Sequence, residues 1–185
     1  ILSARGWQPL VLNIQGRQHL DALHDDVMLE AATTSLQLHL QVAAKDSMRV
    51  YNAALIASAA LVAISANSPY LFGHDLWDES RIPLFEQAIG TGPLNRNRVT
   101  FGDHFETRSL AECFEDNVEH YPILLPSCVD DEVGRLSHRR LHNGTIWRWN
   151  RPLIGFDPDG WTAAYGRGCV KTSIIECLAD RVPHK

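Results

Sequence analysis

Between Thr33 and Val42 the chain reads Thr-Thr-Ser-Leu-Gln-Leu-His-Leu-Gln-Val, alternating polar with apolar residues. A period of two predicts a β-strand over 34–42, with Gln37, His39 and Gln41 on one face and Leu36, Leu38, Leu40 and Val42 on the other. The apolar face can be buried. The opposite face suits a dry core poorly, because every buried polar group there needs a partner. It suits the floor of a polar pocket, where an imidazole can bind a metal and amides can fix a substrate.

The pattern changes period downstream. Asp46 or Ser47 is a plausible N-cap for a long, Ala-rich helix to about Asn67, where Pro69 disfavours further helical geometry. This helix is expected to be a buried core helix. Its most apolar run, Ala53 to Ala66, contains Ser58 and Ser65 and is too short to span a bilayer.

Upstream, Pro9–Gln15 reads as a strand or a buried extended segment, closed by Gly16. Leu20, Leu23 and Val27 over 18–29 fall at intervals of a short helix or a turn-rich stretch. Residues 70–81 read as a loop around Gly73, 82–90 as a helical turn or a helix continuing after Pro83, and Gly90–Pro93 as a loop. Ser109 is placed to cap a helix over 110–120, with Leu110, Phe114 and Val118 repeating every fourth residue. Residues 127–142 read as loop plus a short helix. Thr145–Trp149 reads as a strand with Trp147 and Trp149 on one face. Asn150-Arg151-Pro152 is expected to break it, with a resumption over 153–156 and a turn at Asp157-Pro-Asp-Gly160. The predicted architecture is α+β, an antiparallel sheet with long helices on one face.

Composition narrows the function classes. The chain has 185 residues, an apolar fraction of 45%, a charged fraction of 21% and a formal charge of −5, ordinary values for one globular domain. The acidic balance, with no basic run, argues against a general nucleic-acid binder. Nothing resembles a signal peptide, so a cytoplasmic protein with no membrane partner is expected. The four cysteines, Cys113, Cys128, Cys169 and Cys177, lack CxxC spacing and read as thiols in a reducing compartment. The first residue is Ile, which suggests a piece of a longer chain. No Walker loop, GxGxxG, GxSxG or HExxH pattern occurs.

Three segments carry more specific information. They are the strand around Gln37, His39 and Gln41; the helix end Ala63-Ile-Ser-Ala-Asn-Ser-Pro-Tyr70 followed by Gly73 and Arg81; and Asn143-Gly-Thr-Ile-Trp-Arg-Trp-Asn-Arg-Pro152. In this order they resemble the glutamate–cysteine ligase family of the bacterial and plant type, with its carboxylate–amine ligase relatives, over roughly residues 25–158. The resemblance implies a glutamine-synthetase-like fold with an open antiparallel funnel. It implies ATP and Mg²⁺ as cofactors and glutamate and cysteine as small-molecule substrates. ATP phosphorylates the γ-carboxylate of glutamate and the amine of cysteine displaces phosphate, in the service of glutathione-precursor synthesis. Metals and cationic side chains neutralise the transferred charge.

On that resemblance His39 is the candidate metal or nucleotide-phosphate contact, beside the oxygen ligands that Mg²⁺ prefers. Gln37 and Gln41 are candidate substrate contacts on the same floor. Asn67 is either a helix C-cap or a pocket residue. Arg81 is either a solvated loop residue or the guanidinium that faces the substrate carboxylate or transferred phosphate, a bidentate task it suits. Trp149 and Asn150 are candidate substrate-binding residues, and Arg151 joins Arg81 as a catalytic candidate. Trp147 and Trp149 also read as core aromatics.

The pattern departs from the family in two places. Residues 1–30 offer only Asp21, Asp25, Asp26 and Glu30 where the family carries metal-binding carboxylates on N-terminal strands. After Asp157-Pro-Asp-Gly160 the family continues with a strand bearing Arg and a metal-ligating Glu, whereas Trp161–Val170 offers no such strand. The expected division is therefore a partial catalytic domain over 1–160 and a divergent tail over 161–185. An incomplete oxygen-ligand set predicts little or no turnover by this chain alone. Another amine acceptor, or an inactive truncated relative, remains open.

Overall fold

The computed structural model describes residues 1–26, 28–92, 96–154, 162–163, 166–167 and 169–176, with side chains described through Leu153 except at Leu36 and Gln41. The turn at 157–160 lies outside the described residues.

Strand β1 (Leu10–Gln15) pairs antiparallel with β2 (His19–His24), Leu12 opposite Ala22 and Ile14 opposite Leu20. Leu10, Leu12 and Ile14 are buried while Val11, Asn13 and Gln15 face outward. The helix or turn-rich stretch expected over 18–29 is thus replaced by a strand over its first part. Leu20 is buried and Leu23 is 67% exposed, so a period of two orders these residues and the helical interval was coincidental. Gly16 makes the hairpin tip possible. A Cβ there would lie 2.5 Å from the backbone carbon of Leu76. That close approach lets Arg17 N–H donate to the Leu76 carbonyl and Gln18 N–H to the Asp75 carbonyl. Leu12, Ile14 and Leu20 then form one core cluster with Leu76 and Leu84.

Strand β3 (Leu36–Ala43) precedes α1 (Ser47–Ser65). A short hairpin, β4 (Tyr70–Leu71) and β5 (His74–Asp75), occupies the stretch expected to be a loop. Phe72 at φ 48° and Gly73 at φ 79° give it the two positive-φ positions that a tight hairpin turn requires. Then follow α2 (Arg81–Ala88), β6 (Val99–Thr100), α3 (Ala111–His120), α4 (Ser137–Asn143), β7 (Trp147–Arg148), β8 (Asn150–Ile154), β9 (Thr162–Ala163), β10 (Gly166–Arg167) and β11 (Cys169–Glu176). Strands β6 and β7 pair in parallel; the other strand pairs are antiparallel. The chain is a mixed α+β structure of small, mostly antiparallel sheets and helices.

The largest sheet has the order β3-β11-β8, both pairings antiparallel. Its centre, β11, begins only at the end of the Trp161–Val170 stretch and runs beyond it to Glu176. Cys-Val-Lys-Thr-Ser-Ile-Ile-Glu is rich in β-branched residues, and it pairs across its full length with β3. Pro152 does not break the third strand. It sits inside β8 at an edge of this sheet, where a missing N–H is tolerated.

Helix α1 packs over this sheet through Tyr51, Ala54 and Ser58, yet Ile56 and Ile64 are 67% and 83% exposed. The expected buried helix is therefore one-sided here. Ala44–Ser65 is the one helix among the described residues long and apolar enough to cross a membrane, by length and composition only. Leu38 and Leu40, expected to be buried, are 41% and 45% exposed. Among the described side chains of β3 only Val42 joins a core cluster, with Tyr51, Leu110 and Cys113, because α1 lies mainly across β11. In α3 the inward face is Leu110, Cys113 and Asn117, while Val118 points out. The intervals of three and four that place Cys113 and Asn117 inside suit helix packing as well as the predicted intervals of four do.

Candidate functional site

Four segments converge on a cavity of about 210 Å³. The turn entering β3 contributes Thr33 and Ser35, and β3 itself contributes Gln37. The 3₁₀ turn before β3 contributes Glu30. Helix α2 contributes Arg81 and Phe85, β7 contributes Trp147, and the bend between β7 and β8 contributes Trp149. One wall is thus aromatic. Phe85 meets Trp147 edge-on at 6.4 Å and Trp149 at 5.6 Å between ring centroids. The other walls carry an amide, two hydroxyls, a carboxylate and a guanidinium.

Arg81 is held by every element around it. Its Nε donates to Glu79 Oε1 at 2.6 Å and its Nη2 to Glu79 Oε2 at 2.6 Å. Nη1 donates to the Thr34 carbonyl at 2.7 Å and Nη2 to Asn67 Oδ1 at 3.1 Å. The pair with Glu79 is bidentate and buried, a geometry that fixes the guanidinium plane. Asn67, exposed just past α1, orients Arg81 without lining the cavity. Glu86, one turn into α2, is half-buried and receives a hydrogen bond from Trp149; burial raises its carboxyl above the ordinary range.

The remaining sequence candidates take other positions. His39 is exposed on β3, two residues beyond Gln37 on the same strand face and outside the cavity lining. Gln41 pairs through its backbone register with Lys171; its side chain lies outside the described set. Asn150 is fully buried beneath α1, donating from Nδ2 to the Tyr51 carbonyl at 2.9 Å while Tyr51 Oη donates to the Asn150 carbonyl at 3.1 Å. Arg151 donates from Nη2 to the Ile146 carbonyl at 3.1 Å, and burial lowers its guanidinium pKa. The structure thus brings Gln37, Arg81 and Trp149 to one cavity and leaves His39, Asn150 and Arg151 beside it.

Sequence reasoning missed Glu30, Thr33, Ser35 and Phe85 as lining residues and Glu79 as the partner of Arg81. Glu79-Ser80-Arg81 carried one local signal, opposite charges two apart at a helix start. Only the tertiary fold shows that both are buried.

Mg²⁺ requires several oxygen ligands in near-octahedral geometry. The cavity lining offers one carboxylate, Glu30, because Glu79 is committed to Arg81. The described residues around the cavity therefore do not complete a magnesium site. Its volume is below the ~300–1,000 Å³ typical of drug-sized ligands, which suits an amino acid rather than a whole nucleotide.

Comparison with protein-family models matches residues 11–118 to one described as glutamate-cysteine ligase family 2. The match spans more than half of the chain and runs from the first strand into α3, including every cavity residue except Trp147 and Trp149. No curated protein and no solved structure matches the chain.

Proposed function

Since this chain belongs to glutamate-cysteine ligase family 2, we propose that its cavity is the glutamate pocket of an ATP-dependent ligase that joins the γ-carboxylate of glutamate to the amine of cysteine. One observation carries the reading: a single amino-acid-sized cavity sets the Arg81 guanidinium and the Glu30 carboxylate against an aromatic wall. A zwitterionic amino acid with a second carboxylate matches that set. Arg81, locked in plane by Glu79 and Asn67, faces a carboxylate. Glu30 attracts the α-ammonium. Gln37, Ser35 and Thr33 supply orienting hydrogen bonds, and Phe85, Trp147 and Trp149 cover the methylene carbons. Gln41, at its register position on β3, is a further proposed substrate contact. Asn150 and Arg151 support the wall that carries Trp149.

The sheet β3-β11-β8 belongs, in this reading, to a glutamine-synthetase-like funnel. ATP supplies the phosphoryl group that activates the γ-carboxylate. His39, exposed on β3 outside the cavity, is the residue this reading assigns to a nucleotide-phosphate contact. Turnover by this chain is expected to be slow, because the described residues leave the oxygen set for magnesium incomplete. A reducing cytoplasm suits both the ATP requirement and a cysteine substrate.

The experiment is phosphate release from magnesium–ATP with glutamate and a panel of amines. Release that depends on both glutamate and cysteine, even if slow, is the expected result. Release with a different amine moves the assignment to another carboxylate–amine ligase. Glutamate binding with no release for any amine identifies an inactive truncated relative. Failure to bind glutamate overturns the reading.

A further inference from the structure

We propose that His104, Glu106 and Glu112 form a binding site for one divalent cation of the zinc class, separate from the glutamate cavity. A ring nitrogen of His104 and one carboxylate oxygen from each glutamate lie within 4.8 Å of one another. None of the three lines the cavity described above.

The observation that asks for a ligand is Glu106. Its side chain belongs to a residue only 5% exposed. Oε1 accepts a hydrogen bond from the Cys113 thiol at 2.9 Å, whereas Oε2 is buried with no hydrogen-bond partner among the described residues. A buried carboxylate oxygen without a donor is costly, and a cation relieves that cost. The backbone at Glu106 cannot easily shift to find water. Asn52 on α1 clamps it from both sides, donating from Nδ2 to the Glu106 carbonyl at 2.8 Å and accepting from the Glu106 N–H at 3.0 Å.

Glu112 is equally fixed, and it is negatively charged for a clear reason. Its carboxylate accepts from the backbone N–H groups of Thr107, Arg108 and Ser109 and from the Thr107 hydroxyl. Three of these donors are backbone. The fourth, the Thr107 hydroxyl on Oε2, can rotate and free one acceptor position of that oxygen. His104 is exposed, and rotation of its ring brings a nitrogen in from the solvent side. Ligands on one tetrahedral zinc stand about 3.4 Å apart, given bonds of about 2.0–2.2 Å. The observed spread, within 4.8 Å, is one that small side-chain adjustments on binding would bring to that separation.

One imidazole with two carboxylates selects a borderline cation over magnesium, which prefers oxygen alone. The exposed side of His104 leaves a fourth position for water. A bound cation would tie the 101–110 segment and α3 to α1.

The test is a cobalt(II) titration of the full chain carrying Cys128→Ser, which removes an exposed thiol. Expected are one equivalent bound, the visible d–d bands of a four-coordinate cobalt without a sulfur charge-transfer band, and displacement by Zn²⁺. His104→Ala, at an exposed position that leaves the fold intact, is expected to weaken binding at least ~tenfold, and Glu106→Gln to do the same while keeping an acceptor for Cys113. No saturable cobalt signal, or a His104→Ala variant that titrates like its parent, overturns the proposal.

Discussion

Arg81 and Glu79 are joined fork to fork in the cavity wall, Nε to Oε1 and Nη2 to Oε2 each at 2.6 Å, with side-chain exposures of 7% and 3%. Removing one partner of such a pair leaves a buried charge uncompensated. Arg81→Ala is expected to cost about 3–5 kcal/mol, read from urea unfolding midpoints. Arg81→Lys cannot reproduce the bidentate geometry and falls between the two. A loss below about 1 kcal/mol for Arg81→Ala would mean that the pair is solvated in solution.

Tyr51 and Asn150 exchange hydrogen bonds across 99 residues of sequence. Tyr51→Phe keeps the ring and deletes the donor to the Asn150 carbonyl. The expected loss is about 1 kcal/mol, seen in the same unfolding measurement.

Gly16→Ala tests the hairpin tip. The new methyl meets the Leu76 backbone at 2.5 Å, and backbone cannot rotate aside. A destabilisation of about 1–3 kcal/mol is expected, with earlier amide-hydrogen exchange in β1 and β2.

Glu112 gives the fold a pH dependence of definite sign. The N–H groups of Ser109, Arg108 and Thr107 hold its carboxyl down to about 2, from an ordinary 4.5. A depressed folded pKa contributes stability above the unfolded value and loses it as pH falls through the folded one. Thermal melts should therefore show wild type more stable than Glu112→Gln at pH 6, with the gap narrowing between pH 4.5 and 2. A gap that is constant with pH would contradict the assignment.

The thiols separate the same way. Burial, reinforced by Glu106, pushes Cys113 up to about 12, while Cys128 is exposed. Iodoacetamide at pH 8, followed by peptide mass mapping, should label Cys128 promptly and Cys113 only after denaturation.

Parts of the fold were legible because local pattern and tertiary environment agree. Strand β1 buries alternate residues, Leu10, Leu12 and Ile14; α1 has its predicted start and stops before Pro69. The second strand was hidden because Leu20, Leu23 and Val27 mimic a helical interval, and only pairing with β1 decides between periods. Strand β11 was hidden by a resemblance that led to a different continuation after residue 160. At the site, alternation placed Gln37 on a polar face, and the resemblance singled out Arg81. That the two meet at one cavity, with Phe85 and Trp149 opposite, follows from how α2 packs, which no local window contains. Asn150 shows the limit of strand-end reasoning: one residue beyond Trp149 the pleat turns its amide toward Tyr51.

The glutamate pocket is tested most directly by tryptophan fluorescence, because Trp147 and Trp149 form its wall. Titrating the chain with glutamate should give a saturable change in emission, and Gln37→Ala should weaken the apparent affinity about tenfold, the equivalent of one good hydrogen bond. Emission that does not change with glutamate, or a Gln37→Ala variant that titrates as wild type, would contradict the assignment of this cavity to the amino-acid substrate.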